Sequence, residues 1–156
     1  MKSEIVQLVF ALIALVVGGA LEEMLPKVYG VGAPVLMTAA AFFASRRPLV
    51  AALAFALAAG AMEDWLSAGA PGVCGSLALF FVMAYAVRRT QAVPALAVAL
   101  AYPCCQVLFF FGDFFVGRGG EVCLRFLAAI PVGAATAAAT CAFLAFMERR
   151  AAIGEA

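Results

Sequence analysis

Long apolar runs joined by short polar connections constrain this sequence more than any other feature. The runs carry almost no charged residues, and they lie at 5–21, 28–45, 48–62, 73–87, 92–111 and 122–147. Six membrane-crossing helices of about 20 residues use roughly 120 positions and leave no room for a soluble domain. The pattern therefore predicts an all-α integral membrane protein, a compact bundle of six transmembrane helices forming a single membrane domain over residues 1–156.

The composition excludes several classes of protein. Hydrophobic residues make up 67% of the chain and charged residues 12%, whereas soluble domains carry about 25% charged residues. Histidine, the commonest general base, is absent, and the net charge of +1 offers no nucleic-acid footprint. The sequence also contains no G-x-S-x-G, H-E-x-x-H or P-loop pattern. We therefore expect no enzymatic activity, no metal site and no cofactor.

The five cysteines show no C-x-x-C spacing. Most of them fall inside or at the ends of apolar runs, where cysteine is usually a small buried apolar side chain. Cys74 and Cys123 lie near the same predicted membrane face, so a disulfide between them stays open at this point.

The basic residues are distributed unevenly between the two predicted membrane faces. Seven of the ten fall on the side of the N-terminus, namely Lys2, Arg46, Arg47, Arg88, Arg89, Arg149 and Arg150. By the positive-inside rule that side is the cytoplasm. We therefore expect a multi-pass protein of the bacterial cytoplasmic (inner) membrane with both termini cytoplasmic. Most acidic residues, including Glu22, Glu63 and Asp64, fall on the outer side.

Small residues recur at every fourth position in several predicted spans. The candidates for helix docking are Ala14 and Gly18 in the first span and Ala52, Ala56 and Gly60 in the third. Such rows let helix backbones approach closely in lipid. The sequence leaves two alternatives open, which are packing inside the bundle and docking of a transmembrane helix from another protein.

The connection between the third and fourth spans combines carboxylates with turn residues. Asp64 lies just past the end of the third span, and Ser67, Gly69, Pro71 and Gly72 follow it. We expect Asp64 to accept hydrogen bonds from groups between Ser67 and Gly72, although an ordinary interfacial turn has the same composition.

A second charged pair lies near the start of the last span. Arg125 is three residues inside that span, and Glu121 precedes it by four residues. This is the favourable order for an ion pair along a helix, so we expect Glu121 and Arg125 to form an intramembrane ion pair, with contact to a ligand or partner as the alternative.

The stretch from Arg46 to Arg89 resembles the rod shape-determining protein MreD family. The resemblance rests on a basic turn, a short Ala-rich span, Asp64 and Ser67, the turn of Gly69, Pro71 and Gly72, a further span and a second basic pair. It implies six spans and a non-catalytic scaffold subunit of the bacterial cell-elongation complex, which supports cell shape and peptidoglycan synthesis. The implied partners are an MreC-like bitopic protein, the RodA glycosyltransferase, a class B penicillin-binding protein and, indirectly, the MreB filament.

The same six-helix plan is similar to that of the substrate-binding subunits of energy-coupling factor (ECF) transporters. That likeness implies the alternative function, capture of a vitamin or metal in an outward-facing pocket and docking through small residues of the first helix, where Ala14 and Gly18 lie. The Asp64 to Gly72 segment favours the MreD-like interpretation.

Overall fold

The computed structural model describes residues 2–66, 88, 93–109 and 115–153, and these residues are helical apart from short connections. The helices are α1 (Lys2–Met24), α2 (Val35–Arg46), α3 (Leu49–Leu66), α4 (Pro94–Phe109) and α5 (Gly119–Ile153). Within the described residues there is no β-strand, only an isolated bridge between Val28 and Val31. The predicted all-α class is therefore confirmed for this part of the chain, and the predicted span 73–87 lies outside it.

The short helix α2 is the centre of the described bundle. Every residue from Val35 to Ala44 is buried, and α2 contacts α1, α3, α4 and α5. Phe43 is the main contact near its C-terminal end, because its ring lies 5.8 Å from the ring of Phe10 on α1 and 4.4 Å from that of Phe55 on α3. Residues 35–44 of the predicted second span are thus enclosed by other helices.

Small residues allow the helices around α2 to approach closely. A Cβ atom on Gly18 would lie 3.1 Å from Leu36 Cδ2, and a Cβ on Gly133 would lie 3.0 Å from Tyr102 Cδ1. The first contact joins α1 to α2, and the second joins α5 to α4. Side chains larger than glycine at these two positions would push the helices apart.

The connection between α1 and α2 differs from the sequence prediction, which began the second span at 28. Val28 and Val31 exchange backbone hydrogen bonds of 3.0 and 2.9 Å around Tyr29 and Gly30, whose φ angles are 52° and 79°. Two consecutive positive φ angles are typical of a type I′ turn. The helix then begins at Val35, after Pro34. Hydropathy does not distinguish an apolar turn from the start of an apolar helix, so the pattern placed the boundary too early.

The other helices begin or end within a few residues of the predicted spans. At the C-terminal ends, α5 continues past the predicted end at 147 as far as Ile153, and α3 continues past the predicted end at 62 as far as Leu66. Glu63 and Asp64 therefore belong to its last turn. Among the residues that the structure describes, one helix, over Gly119–Arg150, is long and apolar enough to cross a membrane.

We predict that Gly133→Val separates α4 from α5. The added side chain would meet the ring of Tyr102, and overpacking of this kind lowers the free energy of unfolding by about 1–3 kcal/mol. The matched control is Ala134→Val, because Ala134 is the next residue and is exposed. Thermal unfolding in detergent measures both variants, and equal melting temperatures would contradict the close contact.

Candidate functional site

The buried N-terminus of α2 receives a hydrogen-bond acceptor from a neighbouring helix. Pro34, the residue before α2, makes no side-chain capping bond. Instead, the Leu36 N–H donates to Glu22 Oε1 at 3.0 Å, and the Val35 N–H also contacts the Glu22 carboxyl group. Unpaired N–H groups at a buried helix end are costly. Glu22 therefore caps α2 from the last turns of α1.

A second carboxyl group lies within hydrogen-bonding distance of the first. Glu63, in the last turn of α3, contacts the Glu22 side chain. Two carboxylates in a water-poor site repel each other unless they share a proton. We call Glu22 and Glu63 the carboxyl pair. It joins the C-terminal ends of α1 and α3 at the N-terminus of α2.

The surroundings of Glu22 raise its pKa. Glu22 follows the predicted span 5–21 and is half-buried. Burial and then the neighbouring Glu63 raise the pKa of Glu22 well above its ordinary value of 4.5, and the backbone N–H groups of Leu36 and Val35 oppose the shift only in part. Glu22 Oε1 accepts from the Leu36 N–H, whereas Glu22 Oε2 is buried and has no hydrogen-bond partner.

Helix α4 contributes two buried polar side chains to the same end of the bundle. The Tyr102 hydroxyl donates to the Gly32 carbonyl oxygen at 2.6 Å, and the Gln106 side chain forms a hydrogen bond with Tyr102. These bonds attach α4 to the connection between α1 and α2. Tyr102 is also close enough to Glu22 and Glu63 to interact with them electrostatically.

Asp64 lies beside the carboxyl pair in sequence, but its environment differs. Its Oδ2 atom is buried and has no hydrogen-bond partner. The proposed donors around Ser67, Gly69, Pro71 and Gly72 lie outside the described residues. Acceptance of hydrogen bonds from that segment therefore stays a prediction.

The small-residue rows that were candidates for helix docking turn inward. Ala52, Ala56 and Gly60 are buried along α3, and Gly18 is buried against Leu36. Ala14 is half-buried. These placements match internal packing, which was one of the two alternatives. Docking of a partner helix through these residues stays a prediction.

Near the start of α5, the Arg125 side chain approaches the turn between α1 and α2. The Arg125 guanidinium carbon lies 3.6 Å from the position that a Cβ on Gly30 would occupy. Glu121 is exposed, and its ion pair with Arg125 stays a prediction. Cys123 in the same turn is an exposed free thiol, and Cys74 lies outside the described residues.

Sequence reasoning missed the carboxyl pair and its link to Tyr102. A usable signal was present, because Glu22 and Glu63 both end apolar runs on the same predicted side of the membrane. Their contact depends on α1 and α3 being neighbours, which hydropathy does not reveal. In the described part of the chain, no group of three or more His, Cys, Asp or Glu side chains is arranged to hold a metal ion.

Comparisons of the chain with protein families, with curated proteins and with solved structures found no match. The position of the carboxyl pair supports a structural role. The pair closes one end of the bundle, because it caps α2 and joins α1 to α3.

We predict that Glu22→Leu destabilises the protein and that Glu22→Gln does not. Leucine leaves the buried Leu36 N–H without an acceptor, at a cost of about 1–3 kcal/mol in the free energy of unfolding. Glutamine keeps an acceptor oxygen and adds an N–H₂ donor toward Glu63. Thermal unfolding compares the two, with Glu23→Leu as control because Glu23 is exposed. A Glu23→Leu variant as unstable as Glu22→Leu would contradict the capping role.

We also predict that stability falls as the pH rises. The unfolded chain ionises Glu22 near its ordinary pKa of 4.5, whereas the folded protein keeps it neutral to a higher pH. The contribution is therefore complete below about pH 4.5 and is lost progressively as the pH rises to about 10. Melting temperatures across this range should decline for the wild type and decline less for Glu22→Gln. A parallel decline in both proteins would contradict a protonated Glu22.

Proposed function

We propose that the chain is a six-span protein of the bacterial cytoplasmic membrane and a non-catalytic, MreD-like scaffold subunit of the cell-elongation complex. Its partners are an MreC-like bitopic protein, the RodA glycosyltransferase and a class B penicillin-binding protein, with the MreB filament reached indirectly. The resemblance over residues 46–89 supports the family, and residues 67–87 of that stretch lie outside the described part of the chain.

The observation that carries the membrane placement is the separation of charge between the ends of the bundle. The carboxyl pair meets the N-terminus of α2, whereas Arg46 and Arg47 follow its C-terminus and pair with Glu148 on α5. Leu36 and Arg46 are about 15 Å apart along the helix axis, at 1.5 Å per residue. An arginine-rich end and a carboxyl-rich end are typical of a membrane protein whose basic end faces the cytoplasm.

The surface of α5 adds independent support. Only 28% of the most apolar stretch of α5 is buried inside the protein. The core helix of a soluble protein would be mostly buried, so exposure of this apolar surface favours contact with lipid. Large aromatic side chains are also exposed at the carboxyl-rich end, where an interfacial belt is expected, namely Tyr29, Trp65 and Phe115.

The ECF-type substrate-binding subunit is the second candidate, and one observation favours it. Buried polar groups gather at the outer end, including the unpaired Oδ2 of Asp64. In the same region, however, Glu22 accepts a hydrogen bond from Leu36 and contacts Glu63. Tyr102 is hydrogen-bonded to Gly32 and Gln106. Because Glu22 Oε1 and the Tyr102 hydroxyl are already bonded within the protein, the scaffold function is the better supported of the two.

The function test is deletion of the gene in its own host followed by complementation. We predict that deletion converts rods to rounded cells and that the wild-type gene restores them. Asp64→Asn keeps an acceptor oxygen and should restore rod shape, whereas Asp64→Leu should not. A C-terminal green fluorescent protein fusion reports membrane insertion and fluoresces only if that end is cytoplasmic.

Co-purification distinguishes the two candidate functions. The scaffold predicts recovery of an MreC-like protein with the tagged chain, whereas the transporter subunit predicts recovery of an ATPase pair. Unchanged cell shape after deletion, together with no MreC-like partner, would contradict the proposed function. Equal failure of the Asp64→Asn and Asp64→Leu variants at normal abundance would instead show that the negative charge itself is required.

A further inference from the structure

The end of the bundle opposite the carboxyl pair collects arginines from three parts of the chain. Arg46 Nη1 lies 2.5 Å from Glu148 Oε2, and Arg47 Nη2 lies 3.2 Å from Glu148 Oε1. Arg88 Nη1 donates to the Arg47 carbonyl oxygen at 2.8 Å. The arginine face consists of these residues and the next two positions of α5, namely Arg46, Arg47, Arg88, Arg149 and Arg150.

The arginine face carries more positive charge than its neighbours neutralise. Glu148 is shared between two guanidinium groups. By sequence, this end of the chain has seven basic residues but only three acidic ones, Glu4, Glu148 and Glu155. Arg149 and Arg150 are exposed, and the Arg46 side chain remains 49% exposed despite its ion pair. The excess of guanidinium groups fits an anionic ligand.

Apolar rings lie directly beside these charges. The Arg150 guanidinium lies 5.2 Å from the centre of the Phe146 ring, and the Arg46 guanidinium lies 4.6 Å from that of Phe42. Phe143 and Phe146 expose 55% and 52% of their surface just before the arginines of α5. A ligand that carries both a negative group and an apolar body satisfies both features, whereas an acidic soluble protein satisfies only the first.

We propose that the arginine face binds the phosphate headgroups of anionic phospholipids, with their acyl chains against Phe143 and Phe146. Guanidinium groups form forked hydrogen bonds with phosphate oxygens, and basic sites at the cytoplasmic ends of membrane helices attract anionic lipid. The proposal rests on the membrane placement given above. It adds a lipid preference that a scaffold function does not require.

The test uses the purified full-length protein in detergent, supplied with equal amounts of phosphatidylglycerol and phosphatidylcholine. Native mass spectrometry measures the ratio of the two lipids retained. We expect the wild type to retain phosphatidylglycerol preferentially. Because each basic residue near an anionic surface contributes roughly fivefold, the R149Q/R150Q variant should lose about tenfold or more of this preference. R149K/R150K keeps the charge and should keep most of it.

The matched control is K27Q/R118Q, which removes the same charge from two exposed residues at the opposite end. It should leave the preference unchanged. An equal loss in both double variants would overturn the proposal, since only net charge would then matter. Displacement of the lipid by excess inorganic phosphate would also overturn it, in favour of a free-anion site.

Cell fractionation separates this proposal from the proposed function. A wild-type protein found with the membranes but without the lipid preference contradicts only the lipid proposal. A protein absent from the membrane fraction contradicts the membrane placement on which both depend.

Discussion

The buried N-terminus of α2 is the constraint on which the described fold depends. A helix enclosed on all sides cannot satisfy its first N–H groups with water, and Pro34 supplies no capping side chain. The acceptor has to come from another element, and Glu22 provides it. This single bond fixes how far α1 extends beside α2, and it places Gly18, one helical turn before Glu22, against Leu36.

Capping of α2 by Glu22 connects the packing of the helices with the polar groups at the two ends of the bundle. Glu22 is held among helices, where burial favours its neutral form, and Glu63 reaches it because α3 returns to the same end. At the opposite end the arginines remain partly in contact with solvent and share the Glu148 carboxylate. One end is thus closed by the bonds from Leu36 to Glu22 and from Tyr102 to Gly32, while at the other two arginines share one carboxylate.

The sequence predicts the helices well because each one is a long apolar run with few charges. It does not predict the start of α2, since the turn at Tyr29 and Gly30 is itself apolar. It also does not predict that Glu22 and Glu63 meet, because hydropathy records which residues avoid water and not which helices are neighbours. Asp64 was identified from its turn residues, whereas Glu22 has no local motif, and only the tertiary fold gives it a role.

The inward placement of the small residues changes how a partner helix would be recognised. Gly18 and the row of Ala52, Ala56 and Gly60 are buried inside the bundle. The outward face of α1 instead presents branched side chains four residues apart, with Leu8, Leu12 and Val16 exposing 62%, 53% and 60% of their surface. Lipid offers no hydrophobic force to bring helices together. A partner that docks on this face therefore has to supply the small residues itself, so that the side chains of α1 fill its grooves.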